Sequence, residues 1–362
     1  MEIRAATLTA FYLYDVAEQI DLAGLRTTLR TGSAATLQPP TTAPSYLRYQ
    51  TPPLVVDGDQ VGIGPIEGFS VRLKFFDYGV VSMALTRPFS GSWAALIGAS
   101  QSYIENDALE SRAEAAVRAV VRECITVMTR LRDDYVAEDY LAVAVTALDA
   151  PLSSDELLAT RAEALARIVR GERQPLSRQE QEEVLRNRLS YLANDLVIPT
   201  WNCAFIYDSE AGAIAALELF EFANSQLLEF RYYDDLLDRE LTRIYAMLQH
   251  SGWWNNLFGR GYVRAAAQLH ALFIDVNELT DRTENALKIV GDIYAARVFS
   301  LAAARLGLAR WKQSVEDKLE TLDDIYRFAV EQVAISRGQF LELTVILILV
   351  LELVLFFLGI MR

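Results

Sequence analysis

The sequence predicts an α+β protein: an N-terminal α/β domain, then a long antiparallel helical coiled-coil bundle and one C-terminal transmembrane helix. Three observations predict this architecture. Phe69–Phe75 (FSVRLKF) alternates between apolar and polar residues, as a half-buried strand does. From Glu210 onward the strand pattern gives way to apolar residues at three–four spacing, and Phe340–Met361 is almost wholly apolar. The domain boundaries that follow are 1–208, 209–336 and 337–362.

The N-terminal domain is predicted to contain several strands with helices packed against them. Asp77-Tyr78-Gly79 supplies turn residues, and Val80–Leu85 returns from them as the hairpin partner of the strand at Phe69–Phe75. The remaining elements are, in chain order, a strand at Ile3–Leu13, a helix at Asp21–Arg30, a loop at 31–67, a helix at Asp107–Leu131, a buried strand at Leu141–Leu148, a helix that opens with a capping box at Ser153–Glu156, and short extended pieces at Val197–Asp208.

Three segments of the second half keep three–four spacing long enough to predict coiled-coil seams. Gly307 ends the second segment as a C-terminal cap. The seam positions are Phe220, Ala223, Leu227, Phe230, Asp234, Leu237, Leu241, Ile244 and Leu248 in the first; Leu269, Phe273, Val276, Thr280, Thr283, Leu287, Val290, Tyr294, Arg297 and Leu301 in the second; and Leu319, Leu322, Tyr326, Ala329, Val333, Ser336, Phe340 and Leu343 in the third.

The apolar tail is predicted to cross a membrane once, because about twenty apolar residues span the ~30 Å hydrocarbon core of a bilayer. The alternative is a buried core helix, which would need a large apolar partner on every side. The expected location is the cytoplasmic (inner) membrane, with the tail as anchor and the soluble part in the cytoplasm. Glu352 lies near the middle of the tail, where a carboxylate costs about 2.5–3.5 kcal/mol. It therefore indicates a homo-oligomer formed through the tail, or else a neutral acid tolerated in lipid.

Composition excludes several functions. Lys and Arg number 34 against 48 Asp and Glu, so the formal charge of −14 disfavours direct contact with nucleic acid. Two cysteines and two histidines argue against a disulfide framework and against a zinc cluster. We expect no cofactor and no catalytic residue.

The densest polar stretch is Arg231–Glu240 (RYYDDLLDRE), which contains Tyr232 and Tyr233. Asp234 and Asp238 share one helix face, where a divalent cation could bind. A hard cation needs oxygens from more than one element, and the sequence identifies only this one. The stretch is therefore either a structural ion network or a metal or ligand site.

Asp234 and Arg297 are the charged residues on the predicted seams, where a single polar residue often fixes helix register. We predict that Arg297 pairs with an acid of the third helix, and Glu320 is the nearest by counting along the hairpin.

Trp253 and Trp254 lie near the predicted tip of the first helical hairpin, close to arginines. Such residues are typical of a tip that touches a membrane interface, or they pack the turn.

Five separated motifs make the chain similar to the YagE-type family of unknown function, which includes the eukaryotic "required for meiotic nuclear division" proteins. The resemblance covers most of residues 69–361. It implies a membrane-attached protein with a soluble N-terminal domain and no established catalytic activity; mitochondrial relatives are associated with the inner membrane and with support of mitochondrial translation. The motifs, in order, are Lys74–Val80 (KFFDYGV), Trp201–Asp208 (WNCAFIYD), Gln226–Asp234 (QLLEFRYYD), Glu284–Asp292 (ENALKIVGD) and Lys318–Tyr326 (KLETLDDIY).

These observations favour a membrane-anchored, non-enzymatic scaffold that self-associates and presents its α/β domain to a cytoplasmic protein partner. The alternative is an oligomeric, ion-linked or CorA-like transport protein whose tail helix forms an axial path. That layout lacks a second span and a Gly-Met-Asn signature, so it is an analogy of fold alone. An enzyme that uses the Tyr232–Asp238 region is the weakest hypothesis.

Overall fold

The computed structural model describes residues 2–32, 51–104, 106–250, 274, 276–277 and 293–357. The chain divides into two compact units. The first consists of residues 1–232 and 281–311, and the second of residues 233–280 and 312–362.

The first unit is built on a mixed seven-stranded sheet with the strand order β2-β3-β4-β1-β5-β7-β6. Strands β5 and β7 are parallel, and every other neighbouring pair is antiparallel. The strands are β1 (Ile3–Ile20), β2 (Leu54–Asp57), β3 (Ser70–Phe75), β4 (Val80–Gly91), β5 (Met128–Leu148), β6 (Leu196–Pro199) and β7 (Cys203–Tyr207).

Strand β1 is the centre of this sheet, because β4 pairs along one of its edges and β5 along the other. Residues 8–17 of β1 are all buried. A strand that is covered on both faces reads as a nearly continuous apolar run, and TAFYLYDVA fits that description apart from Thr9 and Asp15.

Five helices cover one face of the sheet and form the main apolar core with it. Helix α4 begins with the predicted capping box, in which Ser153 Oγ accepts a hydrogen bond from the Glu156 backbone N–H. The helices are α1 (Leu22–Gly32), α2 (Trp93–Gln101), α3 (Asp107–Glu123), α4 (Ser154–Arg170) and α5 (Arg178–Arg186).

Helix α6 (Glu210–His250) covers the opposite face with its part up to Tyr232, and α7 (Ile293–Leu306) packs near β6 and α6. Phe220 of α6 stacks on Tyr140 of β5 with ring centroids 5.6 Å apart, and Phe222 meets Phe299 of α7 at 5.7 Å. Because α6 has protein on both sides here, all twelve residues of Leu219–Phe230 are buried.

The turn between β3 and β4 forms where the sequence predicts it. Gly79 has φ +92°, a left-handed conformation that favours glycine. Its carbonyl accepts a hydrogen bond from Val16 N–H at 3.0 Å, and its Cα faces the backbone of Ala17 in β1. The turn therefore packs directly on the central strand.

Several predicted elements have different lengths in the structure. Strand β1 runs to Ile20 instead of Leu13, β4 runs to Gly91 instead of Leu85, and the predicted loop at 31–67 contains β2. Helix α3 ends at Glu123 instead of Leu131, and β5 begins at Met128 instead of Leu141. The first half of β5 is polar and only partly buried, so it lacks the apolar pattern that marks a strand. Its pairing with β1, as far as Ile20 opposite Met128, holds it extended.

In the second unit, the part of α6 from Tyr233 onward is joined by α8 (Leu308–Phe357) from Lys312 onward. Leu237, Leu319 and Leu322 are buried, in agreement with apolar seams on the first and third predicted helices. Gly307 separates α7 from α8 with φ +71°, as the sequence predicts. Most of the predicted seam from Leu269 to Val290 lies outside the described residues.

The predicted transmembrane helix is wrong, and so are the tail anchor and the inner-membrane location: the described residues contain no helix with the length and apolarity to traverse a bilayer.

Candidate functional site

The sheet face under α6 carries a row of four neighbouring residues from β3, β4, β1 and β5. Lys74 is paired with Ser82, Ser82 with Leu13, and Leu13 with Glu138. Directly paired residues of adjacent strands point to the same side of a sheet, so these four side chains face α6 together. We call the polar side chains at this interface, both those of the sheet side and those of α6, the polar layer. Its members are Lys74, Tyr78, Glu138, Glu218, Glu221, Ser225, Gln226 and Arg231.

Lys74 forms one end of the polar layer and is 1% exposed. Its ammonium donates hydrogen bonds to Glu218 Oε2 at 2.5 Å and to Glu221 Oε2. Glu221 is completely buried, and the Arg72 guanidinium lies 4.0 Å from Glu218. Two cations therefore balance two carboxylates between β3 and α6.

The ion pairs decide the charge states of this cluster. Desolvation by itself would lower the pKa of Lys74, but attraction to the Glu221 and Glu218 carboxylates outweighs it and raises that pKa. Desolvation opposes ionisation of Glu221 too, yet attraction to Lys74 and Arg72 lowers its pKa. A nucleophilic lysine needs a lowered pKa, so Lys74 is a bound ammonium ion and not an amine nucleophile.

Tyr78 connects the β3–β4 turn to the middle of the polar layer. Its hydroxyl lies 2.7 Å from Ser225 Oγ and accepts a hydrogen bond from Gln226 Nε2 at 3.3 Å. The Phe76 ring stacks on the Tyr78 ring with centroids 5.1 Å apart. The turn is therefore held to α6 by side chains as well as to β1 by its backbone.

The far end of the polar layer contains two residues that sequence reasoning singled out. Arg231 forms an ion pair with Glu138 of β5. The Tyr232 ring lies 3.9 Å under the guanidinium of Arg132, whose Nε is 3.3 Å from Asp15 Oδ2. Tyr233 is half-buried. The structure thus connects the start of the predicted polar stretch, at Arg231 and Tyr232, to β5 and through Arg132 to β1.

Asp15 is the titratable group at this end. Burial raises its pKa to about 6, and the Arg132 guanidinium pulls the pKa back only in part. In the folded state the carboxyl therefore binds its proton more tightly than in the unfolded chain. The stability that the protonated form contributes is present below about pH 4 and is lost as the pH rises through 6.

We predict that Asp15→Asn removes this pH dependence. Between pH 4 and pH 7 the unfolding free energy of the natural chain should fall by up to about 3 kcal/mol relative to the variant. Urea unfolding across that pH range measures the difference. Asp133→Asn, an exposed position on β5, is the control for loss of a carboxylate charge as such. A flat difference for Asp15→Asn across that pH range, or an equal change with pH for Asp133→Asn, would contradict the prediction.

In the second unit, Asp234 takes a partner that the sequence did not identify. It is 8% exposed and accepts hydrogen bonds from Ser314 Oγ at 2.7 Å and from the Lys318 ammonium at 2.8 Å. The same ammonium lies 2.7 Å from Asp238 Oδ2. The helix face formed by Asp234 and Asp238, which the sequence offers to a divalent cation, is thus occupied by the ammonium group of Lys318. Within the described residues no three His, Cys, Asp or Glu side chains are grouped as metal ligands.

The other predicted residues are dispersed. Arg297 is exposed on α7 and lines an open pocket beside α4, which argues against a position on a buried seam. Glu320 is exposed on α8 and belongs to the second unit, so its pairing with Arg297 stays a prediction. Glu352 is also exposed on α8, and Trp253 and Trp254 lie outside the described residues.

Lys74, Glu218 and Glu221 are the residues that sequence reasoning missed. Alternation in β3 put Lys74 on the polar face of a half-buried strand, and such a face normally meets water. A signal was present in α6: LFEFANSQLLEF contains no Lys or Arg over twelve residues, which is typical of a helix buried on every side.

The two thiols of the chain are also buried. Burial raises the pKa of Cys124 to about 11, and it raises the pKa of Cys203 well above its ordinary value. Neutral, enclosed thiols are poor nucleophiles and poor metal ligands. Most groups of the polar layer are engaged in internal ion pairs and hydrogen bonds, although Glu221 Oε1 has no hydrogen-bond partner among the described residues. The layer therefore holds α6 in one position on the sheet.

Comparison with known proteins yields one family and one distant relative. The family model described as "Uncharacterized protein MJ0711, N-terminal domain" matches residues 5–213. The chain is 23% identical over 233 residues to "Uncharacterized protein MJ0711" of Methanocaldococcus jannaschii. The aligned region covers 64% of this chain and 70% of that protein. No solved structure matches. The family match spans the whole sheet and reaches the first turn of α6, more than half of the sequence. The chain therefore belongs to the family of the MJ0711 N-terminal domain.

Proposed function

We propose that the protein is a non-enzymatic scaffold that self-associates through α8 and presents its sheet unit to a protein partner. The observation that carries the proposal is an apolar run on α8. Nine large apolar side chains within Val345–Val354 are each 45–65% exposed. A contiguous apolar surface of this kind is typical of a protein–protein interaction site.

The run has exposed apolar residues at consecutive positions, so it is apolar all round the helix and not along one stripe. A helix that is hydrophobic on every side is normally buried. One flat partner face would leave much of this surface uncovered. Packing of the same segment from other copies of the chain covers it from several directions and satisfies the symmetry of a homo-oligomer. We therefore infer that the occupant is α8 of further copies of this chain.

The sheet unit suits the presenting role because the polar layer between α6 and the sheet is engaged internally. The buried Lys74–Glu218–Glu221 cluster fixes α6 on the sheet. The proposed resemblance to the YagE-type family supports a scaffold role, because no catalytic activity is established in that family. Ion-linked transport requires a tail that spans a membrane, so we do not propose it.

Two differently tagged full-length copies, co-expressed in one cell, test the proposal. We expect one tag to co-purify the other, and the double variant Leu347→Glu and Leu351→Glu to abolish co-purification. The reason is that a buried unpaired carboxylate costs several kcal/mol at the centre of an interface.

Ile125→Glu is the matched control, because Ile125 is a 50% exposed apolar residue outside α8. It should leave co-purification intact. Failure of the natural chains to co-purify, or equal loss in the Ile125 variant, would overturn the proposal. Sedimentation velocity of the purified natural chain then gives the number of copies.

A further inference from the structure

We propose that an arginine-lined pocket in the sheet unit binds a small organic polyanion, that is, a molecule with phosphate or carboxylate groups on a compact apolar or ring-shaped body. The pocket has a volume of about 660 Å³, within the usual range for ligand sites of roughly 300–1,000 Å³. It is open to solvent. It lies where α4 begins, where α5 ends, before β6 and beside α7.

The walls of the pocket are fixed by backbone contacts. The buried Asp195 carboxylate accepts hydrogen bonds from the backbone N–H groups of Tyr191 and Leu192, each at 2.6 Å. Ser154 N–H donates to the Ala193 carbonyl at 2.7 Å, and Ser154 Oγ lies 3.2 Å from Ser190 Oγ. The loop before β6 is therefore tied to the start of α4, and the pocket does not depend on a ligand to hold its shape.

Three arginines from two separate parts of the chain line the pocket. Arg186 ends α5, Arg188 follows it, and Arg297 comes from α7 more than a hundred residues later. The acidic side chain in the lining is Asp155. The pocket is therefore locally positive on a chain whose formal charge is −14, and such local charge attracts anions.

The guanidinium groups keep most of their donors for a ligand. Arg186 pairs with Glu183, but this ion pair is largely exposed, and Arg188 donates to the Leu185 carbonyl at 2.6 Å. Arg297 makes no hydrogen bond or ion pair with another residue of the described ranges. A guanidinium has five N–H donors in a planar fork that matches carboxylate and phosphate oxygens.

The rest of the lining selects the body of the ligand. The apolar wall of the pocket is formed by Leu158 and Leu192, which are half-buried and 60% exposed, respectively, in front of the buried Leu189 and Leu196. A bare inorganic anion would leave this surface unused. A phosphate ester or a polycarboxylate with a compact apolar portion can use both the cationic rim and the apolar wall.

Isothermal titration calorimetry of the full chain with ATP, inorganic pyrophosphate and citrate, each in a separate experiment, tests the inference. We expect saturable 1:1 binding of at least one probe, which weakens as salt is added. If ATP binds more tightly than pyrophosphate, the apolar wall contacts a ring of the ligand. If only citrate binds, the site is selective for carboxylate ligands. Arg186→Gln and Arg297→Gln should each weaken binding about tenfold or more, as expected for loss of a charge-assisted hydrogen bond.

Arg178→Gln is the control, because Arg178 lies on the same helix with a side chain that is 93% exposed and outside the pocket. It should leave binding unchanged. Absence of saturable binding for all three probes, or equal weakening by Arg178→Gln, would overturn the inference. Because these variants lie outside α8, their result is independent of self-association.

Discussion

Replacement of Lys74 by methionine is expected to lower the free energy of unfolding by about 3–5 kcal/mol, because it leaves buried carboxylates without their cation. Lys74 is 1% exposed and Glu221 is 0% exposed, so water cannot take over the role of the ammonium. Urea unfolding of the full chain, followed by circular dichroism, measures the loss as a lower midpoint at constant slope.

Two further variants separate the ion cluster from a general effect of charge loss. Arg178→Met removes a cation from the exposed pair with Glu182 and should change stability by less than about 1 kcal/mol. The triple variant Lys74→Met, Glu218→Gln and Glu221→Gln removes both carboxylate charges and should recover much of the loss. An equal loss in the single and triple variants would show that packing, and not unpaired charge, explains the effect.

Replacement of Gly79 by alanine is expected to destabilise the chain by about 2–5 kcal/mol. Left-handed backbone costs an L-residue about 1–2 kcal/mol, and a Cβ at this position would collide with the carbonyl group of Ala17 in β1. Overpacking costs a further 1–3 kcal/mol or so. The colliding atoms belong to the backbone of the central strand, so no side-chain rotation can relieve them. The same urea titration measures the change.

Gly68→Ala isolates the backbone conformation from the collision. Gly68 also has a left-handed conformation, with φ +83°, but a Cβ there meets open space. We expect this variant to lose only about 1–2 kcal/mol. Equal losses at the two glycines would mean that the close approach of the turn to β1 does not contribute.

Local chemistry made several elements predictable. The β3–β4 turn at Gly79, the capping box at Ser153 and the helix end at Gly307 are each determined by a few neighbouring residues, and all three occur where predicted. The first half of β5 was not predictable in this way, because pairing with the distant β1 determines its conformation.

The candidate site was only partly predictable for the same reason. Arg231 and Tyr232 stood out as a dense polar stretch, and both contact the sheet in the structure. Lys74 did not stand out, because strand alternation cannot tell whether the polar face meets water or a second layer of helices. The transmembrane prediction depended on the apolar composition of the tail alone, and no helix of the described residues has the length and apolarity of a membrane span.

Strand length at the two borders of the sheet limits how copies of this chain can join. The outermost strands, Leu54–Asp57 and Leu196–Pro199, have four residues each. Pro199 has no N–H to donate, and Leu189 already pairs with Val197 through hydrogen bonds of 2.9 and 2.8 Å. An intruding chain would find few free amide groups to pair with. Edge-to-edge growth into fibrils is thereby disfavoured, and association is left to helices.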